Sequence, residues 1–416
     1  MKRIVVKFGG TSVLDTQRIK KAAQIVLDVA AQGYEVITVV SAMGHTTDHL
    51  LSLAEVLKEK PNLRELDALL SSGEQISASL MAIAIQSLGG RAKSFTGAAA
   101  GITTDSKFGA ACIEHIEVSK LEKYLSQGVI PVVAGFQGID RRGDVTTLGR
   151  GGSDATAIAL AGALIAERCD IYTDVEGIYS VDPRVFPQAY KLDAISYKDM
   201  LAMAKGGAKV LQACSVEIAL KNHVPIRVRS TFCPQDEGTL VTQDAKQVNI
   251  FTGIAIDKTK CCIKIVLNHL PTSDKGAQRA FRHKRYELKN SIYGLLSRAG
   301  IGIEFGRSIQ NSAYQVTLCL AQSDLSHALN LIHNSDKMFE YKTVLVETGL
   351  AKISIVGAQL SSSYEVGVIQ ALTRAGIQIS LVSTYDTQLS VMISEKAVEE
   401  AVALTHENYC PLELAC

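Results

Sequence analysis

Residues 3–40 read RIVVKFGGTSVLDTQRIKKAAQIVLDVAAQGYEVITVV. The first six form a β-branched, apolar run that stops at Gly9-Gly10, which reads as a buried strand. Apolar side chains then recur at Ile19, Ala22, Ala23, Val26 and Ala30, the spacing of a helix over 16–31. Gly33 ends that helix, and Glu35–Val40 is a second β-branched run. The alternation continues along the chain. Val129–Ala134 reads as a strand, Asp154–Glu167 as a helix, Asp170–Thr173 as a strand and Val224–Val228 as a late strand. Short apolar strands alternating with helices predict an α/β fold with a mostly parallel sheet covered on both faces, a three-layer α/β/α domain.

The pattern changes near residue 248, where QVNIFTGIAID restarts with a strand. Two approximate repeats follow, LLSRAGIGIEF at 295–305 and ALTRAGIQISL at 371–381. Each places a helix end, a glycine turn and a β-branched strand in one order. A further strand follows each, at Tyr314–Leu320 and Gln388–Ile393. This fits two ferredoxin-like βαββαβ units. The stretch TSDKGAQRAFRHKRYELKNS at 272–291 has the least regular pattern and reads as an insertion.

At 416 residues the chain is long enough for two or three domains. Its formal net charge of +1 gives no bulk attraction to nucleic acid or to a membrane surface. No apolar run approaches a membrane span, and the N-terminal MKRIVVKFGG has too short an apolar stretch for an export signal. The nine cysteines are Cys112, Cys169, Cys214, Cys233, Cys261, Cys262, Cys319, Cys410 and Cys416. Scattered and without a CxxC pair, they read as reduced thiols, and a cytoplasmic protein is expected.

Three segments carry chemistry. Lys7-Phe8-Gly9-Gly10-Thr11-Ser12 puts an ammonium at a strand's carboxyl end, before two glycines and two hydroxyls. That suits a polyphosphate, whose oxygens would meet the ammonium and backbone N–H groups; it also suits a tight strand–helix turn with a snorkelling lysine. Thr147-Leu148-Gly149-Arg150-Gly151-Gly152-Ser153-Asp154 opens an alanine-rich helix. Ser153 or Asp154 is expected to cap it, and Arg150 offers a fork for a carboxylate. Tyr172 to Arg184 gathers polar groups after a strand, where open α/β sheets bind ligands, though a solvated loop would look the same. There is no GxxxxGK followed by Ser or Thr and no GxGxxG, so neither a P-loop nor a dinucleotide fingerprint is present.

KFGGTSV, VVSAMGHTTDHL, SSGEQIS, SFTGAAAGITTD, VVAGFQG, TTLGRGGSDATA, CDIYTDVEGIYSVDPR and GAKVLQ occur in this order over roughly residues 3–240. Together they resemble the successive signatures of aspartate kinases, within the wider amino-acid kinase superfamily. Residues 250–416 resemble, more loosely, the paired ACT domains that follow that catalytic body. The resemblance implies a kinase domain over 1–248 and a regulatory region over 250–416. A first ACT unit, about 263–340, would be inserted in a second formed by about 250–262 plus 341–416. It also implies ATP-dependent phosphorylation of the L-aspartate side-chain carboxylate to 4-phospho-L-aspartate, with Mg2+. This is the first step toward lysine, threonine and methionine.

By resemblance, Lys7, Gly9 and Gly10 hold the β- and γ-phosphates, and Phe8 belongs to the same ATP site. Thr47, Glu74, Arg150 and Ser153 take the aspartate, with Glu74 facing the α-ammonium and Arg150 the α-carboxylate. Asp154 positions Lys7 and the reacting groups, while Thr173, Asp174, Tyr179, Asp182, Arg184 and Lys209 line the nucleotide. Asp274, Gln310, Asn311, Gln378, Tyr385 and Asp386 would belong to an effector site for lysine or, second, threonine. The helix-to-strand turns of the two repeats would offer it backbone N–H and C=O groups. A homodimer or higher homo-oligomer through the ACT units is implied. The chain departs from the family pattern at Ala99, at Gln212-Ala213-Cys214 and at Asp274-Lys275-Gly276, where a proline is missing.

The chemistry agrees with the resemblance. A carboxylate is already ionised at neutral pH, so the reaction needs positioning and charge neutralisation rather than a general base. His45 and His49 lack further metal ligands and read as a loop and first helical turn. The basic run from Arg279 to Arg285 reads as a solvated helix face. Cys261 and Cys262 are expected on opposite faces of a strand. The rival readings are a related kinase acting on glutamate or acetylglutamate, and an inactive amino-acid sensor.

Overall fold

The computed structural model describes residues 2–243, 245, 251–267, 275–307, 315–335, 341–357, 362–385 and 387–409. By contacts the chain forms two units. The first comprises Met1–Tyr179, Lys191–Ala204 and Lys209–Gln247; the second comprises Ser180–Tyr190, Lys205–Ala208 and Val248–Cys416.

The elements of the first half are β1 (Arg3–Phe8), α1 (Thr16–Ala31), β2 (Glu35–Val40), α2 (Thr46–Leu57), α3 (Leu63–Ser87), β3 (Ala92–Phe95), β4 (Ile102–Thr104), β5 (Ile113–Ile116), α4 (Ser119–Ser126), β6 (Ile130–Ala134), β7 (Gln137–Ile139), β8 (Val145–Thr147), α5 (Gly152–Ala163), β9 (Arg168–Thr173), β10 (Ala194–Ser196), α6 (Tyr197–Gly206), α7 (Ala213–Asn222), β11 (Ile226–Ser230) and β12 (Thr239–Thr242). Eight strands make one sheet in the order β10-β12-β11-β9-β1-β2-β6-β3. All neighbours are parallel except β11 and β12. β1 lies between β2 and β9, with α1 and α3 over one face and α5 over the other, so Ile4 to Phe8 are buried. Ile4, Val6 and Phe8 enter the core shared with α1 and α3, where Phe8 stacks on Tyr172 at 5.1 Å between ring centroids. Pleating sends Lys7 to the opposite face, toward α5.

Several of these elements are absent from the periodicity reading, and two features among them bear on the site. A small sheet, β5-β4-β7-β8, is built of strands of three or four residues, too short to show a repeat. α3 spans 25 residues, and by length and composition it could cross a membrane. It is a core helix here, because it buries Asp67 and Glu74 together with Met81 and Ile85.

The second unit contains β13 (Gly253–Leu267), α8 (Lys275–Arg298), β14 (Ile303–Phe305), β15 (Gln315–Ala321), α9 (Leu325–Asn334), β16 (Tyr341–Val356), α10 (Ser362–Arg374), β17 (Ile379–Tyr385), β18 (Gln388–Ser394) and α11 (Val398–Tyr409). Its sheet order is β14-β15-β13-β16-β18-β17. β13 and β16 are long strands, each shared by both repeats. Gly253–Asp257 pairs with Lys352–Val356, and Cys262–Leu267 with Tyr341–Glu347. The outer ends also meet, through an antiparallel bridge between Arg307 and Val382. The two repeats close their helices identically. Gly300 and Gly376 have φ of +75° and +77°, and Ile301 and Ile377 donate to Leu296 and Leu372 carbonyls.

Two expectations are corrected here. From residue 275 onward, the segment read as an irregular insertion lies in α8, a regular helix over Lys275–Arg298, whose Leu288, Ile292 and Leu296 at four-residue spacing fill the core while charged residues dilute the pattern between them; residues 272–274 lie outside the described residues. The repeat turns offer fewer free amides than expected, since those of Gly300, Ile301, Gly376 and Ile377 are spent on helix carbonyls. Cys261 and Cys262 do point to opposite faces, into different buried clusters.

Candidate active site

The carboxyl ends of β1, β2, β6 and β9 form the floor of the site in the first unit. The chain leaves β1 at Phe8 and turns through Gly9 and Gly10 into a short 3-10 helix, Gly10–Val13. The two glycines have different reasons to be there. A Cβ at Gly10 would fall 2.9 Å from the Ala42 carbonyl oxygen, so packing forbids one. At Gly9 the nearest atoms to a Cβ would be Tyr172 O at 3.6 Å and Lys7 Nζ at 3.7 Å, which packing tolerates. A bare Gly9 therefore keeps open the space beside the ammonium. Its N–H is not free for a ligand, because it donates to the Tyr172 carbonyl at 3.0 Å.

Lys7 is buried, with 7% of its surface exposed, and its Nζ lies 2.5 Å from Asp154 Oδ1. The contact is an ion pair without hydrogen-bond geometry, and Oδ1 finds no hydrogen-bond partner. A buried pair of this kind repays little of its desolvation cost and is weak evidence of a purely stabilising role.

Asp154 stands in the first turn of α5. The expected side-chain cap is not formed: Gly151 is the N-cap, with φ of +76°, and neither Ser153 nor Asp154 caps the helix. The reason is steric. Gly151 lies under Gln212, whose Cγ would be 2.4 Å from a Cβ there, and this fixes a left-handed turn only glycine accepts readily. Ser153 and Asp154 are thereby turned inward and buried. Ser153 packs over Gly135, just after β6, where a Cβ would lie 2.8 Å from its own Cβ. Arg150 remains exposed and makes no ion pair among the described residues.

Opposite, on α3, Glu74 is 3% exposed. Its Oε1 accepts the Ala42 N–H at 3.0 Å, and its Oε2 is buried without a partner. Burial pushes its pKa from 4.5 up to about 7, against the Ala42 N–H and the nearby Lys7 charge, which pull it down. An unpartnered buried carboxylate oxygen near Lys7 is suited to an incoming cation. Gly73 lets α3 approach, since a Cβ would fall 2.9 Å from Ala42 Cβ. Thr47 is half-buried in the first turn of α2.

Thr173 ends β9 and Asp174 follows it, with Thr173 Oγ1 donating to Asp174 Oδ1 at 3.2 Å. Tyr179 donates to Glu176 at 3.2 Å, and Lys209 is exposed. Asp182 and Arg184 bind one another, Arg184 Nη2 to Asp182 Oδ2 at 2.7 Å, and belong to the second unit. Of the regulatory positions, Gln378 and Tyr385 are exposed; Asp274, Gln310, Asn311 and Asp386 lie outside the described residues.

Sequence reading alone missed several contributors. Thr231, which no motif flags, shares a hydroxyl contact of 2.6 Å with Ser12 beside the end of β9, where the Thr231 N–H donates to the Thr173 carbonyl. Phe136 adopts φ of +70° without being glycine, held by Thr156 Oγ1 on its N–H and by Leu148 N–H on its carbonyl. Among the described residues no group of three or more His, Cys, Asp or Glu converges as a metal cage.

Residues 2–230 match the amino acid kinase family, and residues 345–407 match an ACT domain. The aspartokinase of Bacillus sp. is 39% identical over 410 residues, covering 98% of this chain and 97% of that protein. The structure of E. coli aspartokinase III in complex with aspartate and ADP (R-state) superposes with a TM-score of 0.78 at 27% identity, covering 98% of this chain and 99% of that one. The same enzyme in complex with lysine and aspartate (T-state) gives 0.75 at 26% identity, covering 99% and 100%. With a parallel-sheet kinase body, a buried Lys7–Asp154 pair at its strand ends and relatives of this similarity over their full length, the chain belongs to the aspartokinase family.

Proposed function

We propose that this protein transfers the γ-phosphoryl group of ATP to the side-chain carboxylate of L-aspartate, giving ADP and 4-phospho-L-aspartate. The observation that carries this reading is two recognition groups on segments that meet Lys7: Glu74 on α3, buried with one free oxygen near the Lys7 charge, and Arg150 on the turn leading to Asp154, a guanidinium without an ion-pair partner among the described residues. Glu74 takes the α-ammonium, Arg150 the α-carboxylate, and Thr47 and Ser153 flank them. A side-chain carboxylate oxygen then attacks the γ-phosphorus as the bond from that phosphorus to the β–γ bridging oxygen breaks. No proton moves, because the nucleophile is already an anion. Lys7 neutralises charge building on the transferring group and the leaving ADP, and Asp154 holds the ammonium in place. Gly9 leaves room for the phosphates beside it, and Gly10, whose lack of a Cβ lets the turn pass Ala42, completes that cradle. Phe8, Thr173, Asp174, Tyr179 and Lys209 complete the nucleotide side in the first unit.

Mg2+ fits this site as an ion carried by the phosphates, since the described residues form no cage of their own and this cation commonly keeps phosphate and water ligands. It would supply charge neutralisation at the β- and γ-oxygens.

Residues 1–248 are assigned as the catalytic domain. Residues 250–416 are assigned as a regulatory pair of ACT units, the first about 263–340 and the second about 250–262 with 341–416. The ACT match, and β13 and β16 shared between the repeats, support that division. An amino-acid effector, lysine before threonine, is supported by the lysine complex of the E. coli enzyme. A 350 Å³ concavity between the repeats, lined by Lys289, Phe305, Arg307, Glu365, Ser383 and Tyr385, has the size and charge for one. Ser383 Oγ there is buried without a partner. A cytoplasmic homo-oligomer joined through the ACT units completes the proposal.

The test is an ATP-dependent hydroxamate assay with aspartate, glutamate and N-acetylglutamate. Aspartyl hydroxamate as the dominant product is expected. Preference for either other acceptor, or no turnover at all, overturns the reading.

A further inference from the structure

Asp67 is a carboxylate sealed from solvent, with 0% of its surface exposed. It lies on α3 seven residues before Glu74, so both project from nearly the same face of that helix. Its Oδ2 accepts the Thr147 N–H at 2.8 Å and the Gly109 N–H at 2.9 Å. Its Oδ1 accepts the Thr147 hydroxyl at 2.7 Å. No lysine or arginine pairs with it among the described residues, so hydrogen bonds alone compensate its burial. Carboxylates in that position are costly, and an apolar contact would hold two segments together at less cost.

What Asp67 holds is specific. Thr147 ends β8 and begins the turn that carries Arg150, Ser153 and Asp154. Gly109 belongs to the loop packed under that turn: a Cβ at Gly149 would fall 3.1 Å from the Gly109 carbonyl oxygen. On the other side, Leu148 donates to the Phe136 carbonyl at 2.9 Å. The root of the Arg150 turn is therefore fastened both to α3, which bears Glu74, and to the end of β6.

We propose that Asp67 is a positioning residue for the acceptor: it sets the span between Arg150 on the turn and Glu74 on the helix. This rests on the assignment of those two residues to the aspartate α-groups. A fixed span holds the α-carbon at one distance from the phosphoryl group, and the length of the acceptor side chain then decides whether its carboxylate reaches. Loosening the span should weaken aspartate binding and blur the choice between aspartate and glutamate.

The test uses the full chain with Asp67→Ala, Asp67→Asn and Thr147→Val. Asparagine can accept both N–H groups through its Oδ1 and donate to the Thr147 hydroxyl, so it should keep near-normal behaviour. Alanine should raise the aspartate KM at least ~10-fold, leave the ATP KM within about twofold, and lower aspartate-over-glutamate discrimination. Thr147→Val should move the same way by less. Hydrogen exchange at residues 109 and 147–150 should quicken in Asp67→Ala and not in Asp67→Asn. If Asp67→Ala does not fold, the proposal stands or falls on Thr147→Val and its exchange. Equal rises in both KM values, or a fall in kcat alone, would make Asp67 a general support of the fold and overturn the proposal. Faster exchange with an unchanged aspartate KM would also overturn it. Absence of aspartate-dependent turnover in the unmodified protein would instead refute the proposed function, and the exchange data would show this separately.

Discussion

Replacing Glu74 with glutamine should make the protein more stable and a poorer enzyme, and the two effects should share one pH dependence. In the folded protein the carboxyl titrates at about 7, against 4.5 in its unperturbed state, chiefly because it is buried. At about 1.4 kcal/mol per pH unit, this difference corresponds to about 3 kcal/mol. The sign follows from proton counting. Between pH 4.5 and 7 the folded protein retains a proton that the unfolded chain has lost. Stability therefore falls as pH rises through that window, and the full penalty applies above it. Glutamine carries no charge but can still accept the Ala42 N–H. Glu74→Gln should thus match the parent near pH 4.5 and exceed it by up to about 3 kcal/mol at pH 8. At this domain size that is about 6 to 12 °C in Tm. The same variant should lose much of its affinity for aspartate at pH 8, because the α-ammonium no longer meets a counter-ion. In the parent, the aspartate KM should rise as pH falls below 7, approaching tenfold per unit. Thermal melts and aspartate KM values of both proteins across pH 5 to 8.5 are the measurement. A Tm difference independent of pH, or an unchanged aspartate KM in the variant, would refute the reasoning.

Three further outcomes are expected. Lys7→Ala should lower kcat at least ~10²-fold, with smaller changes in either KM, because the ammonium acts most strongly on the charge that develops in the transition state; steady-state kinetics with a normal kcat would remove Lys7 from the phosphate site. Arg150→Ala should chiefly raise the aspartate KM, and a rise in the ATP KM alone would move that guanidinium to the nucleotide. Lysine at millimolar concentration should inhibit the enzyme, and Arg307→Ala, which breaks the Arg307–Glu365 ion pair in the concavity between the repeats, should raise the concentration giving half inhibition. Calorimetry and activity titrations check this, and the absence of binding by lysine, threonine or methionine would leave the second unit without an effector.

The sequence by itself determined the elements whose pattern is local. A β-branched run ending in Gly-Gly, a helix at 3.6-residue spacing and a second such run were enough to place β1, α1 and β2 and to require a parallel sheet. The repeated AGI turn likewise announced two related units, and it closes both helices with the same hydrogen bonds. Lys7, Glu74, Arg150 and Asp154 were singled out because each stands within a contiguous motif of the family the chain resembles. α8 was misread because charged residues interrupt a period that only the core on one side makes visible. What the tertiary structure decided is everything that depends on partners distant in the chain. Gly10 is glycine because of Ala42, and Gly151 because of Gln212. The Glu74 carboxyl titrates near neutrality because of what α3 packs against. Asp67 looks in sequence like one more charge in LRELDALL; only the approach of Thr147, 80 residues later, and of Gly109 makes it a buried acceptor of three hydrogen bonds. Hydrophobic periodicity is written in neighbours along the chain, whereas burial, pKa and hydrogen-bond satisfaction are set by neighbours in space.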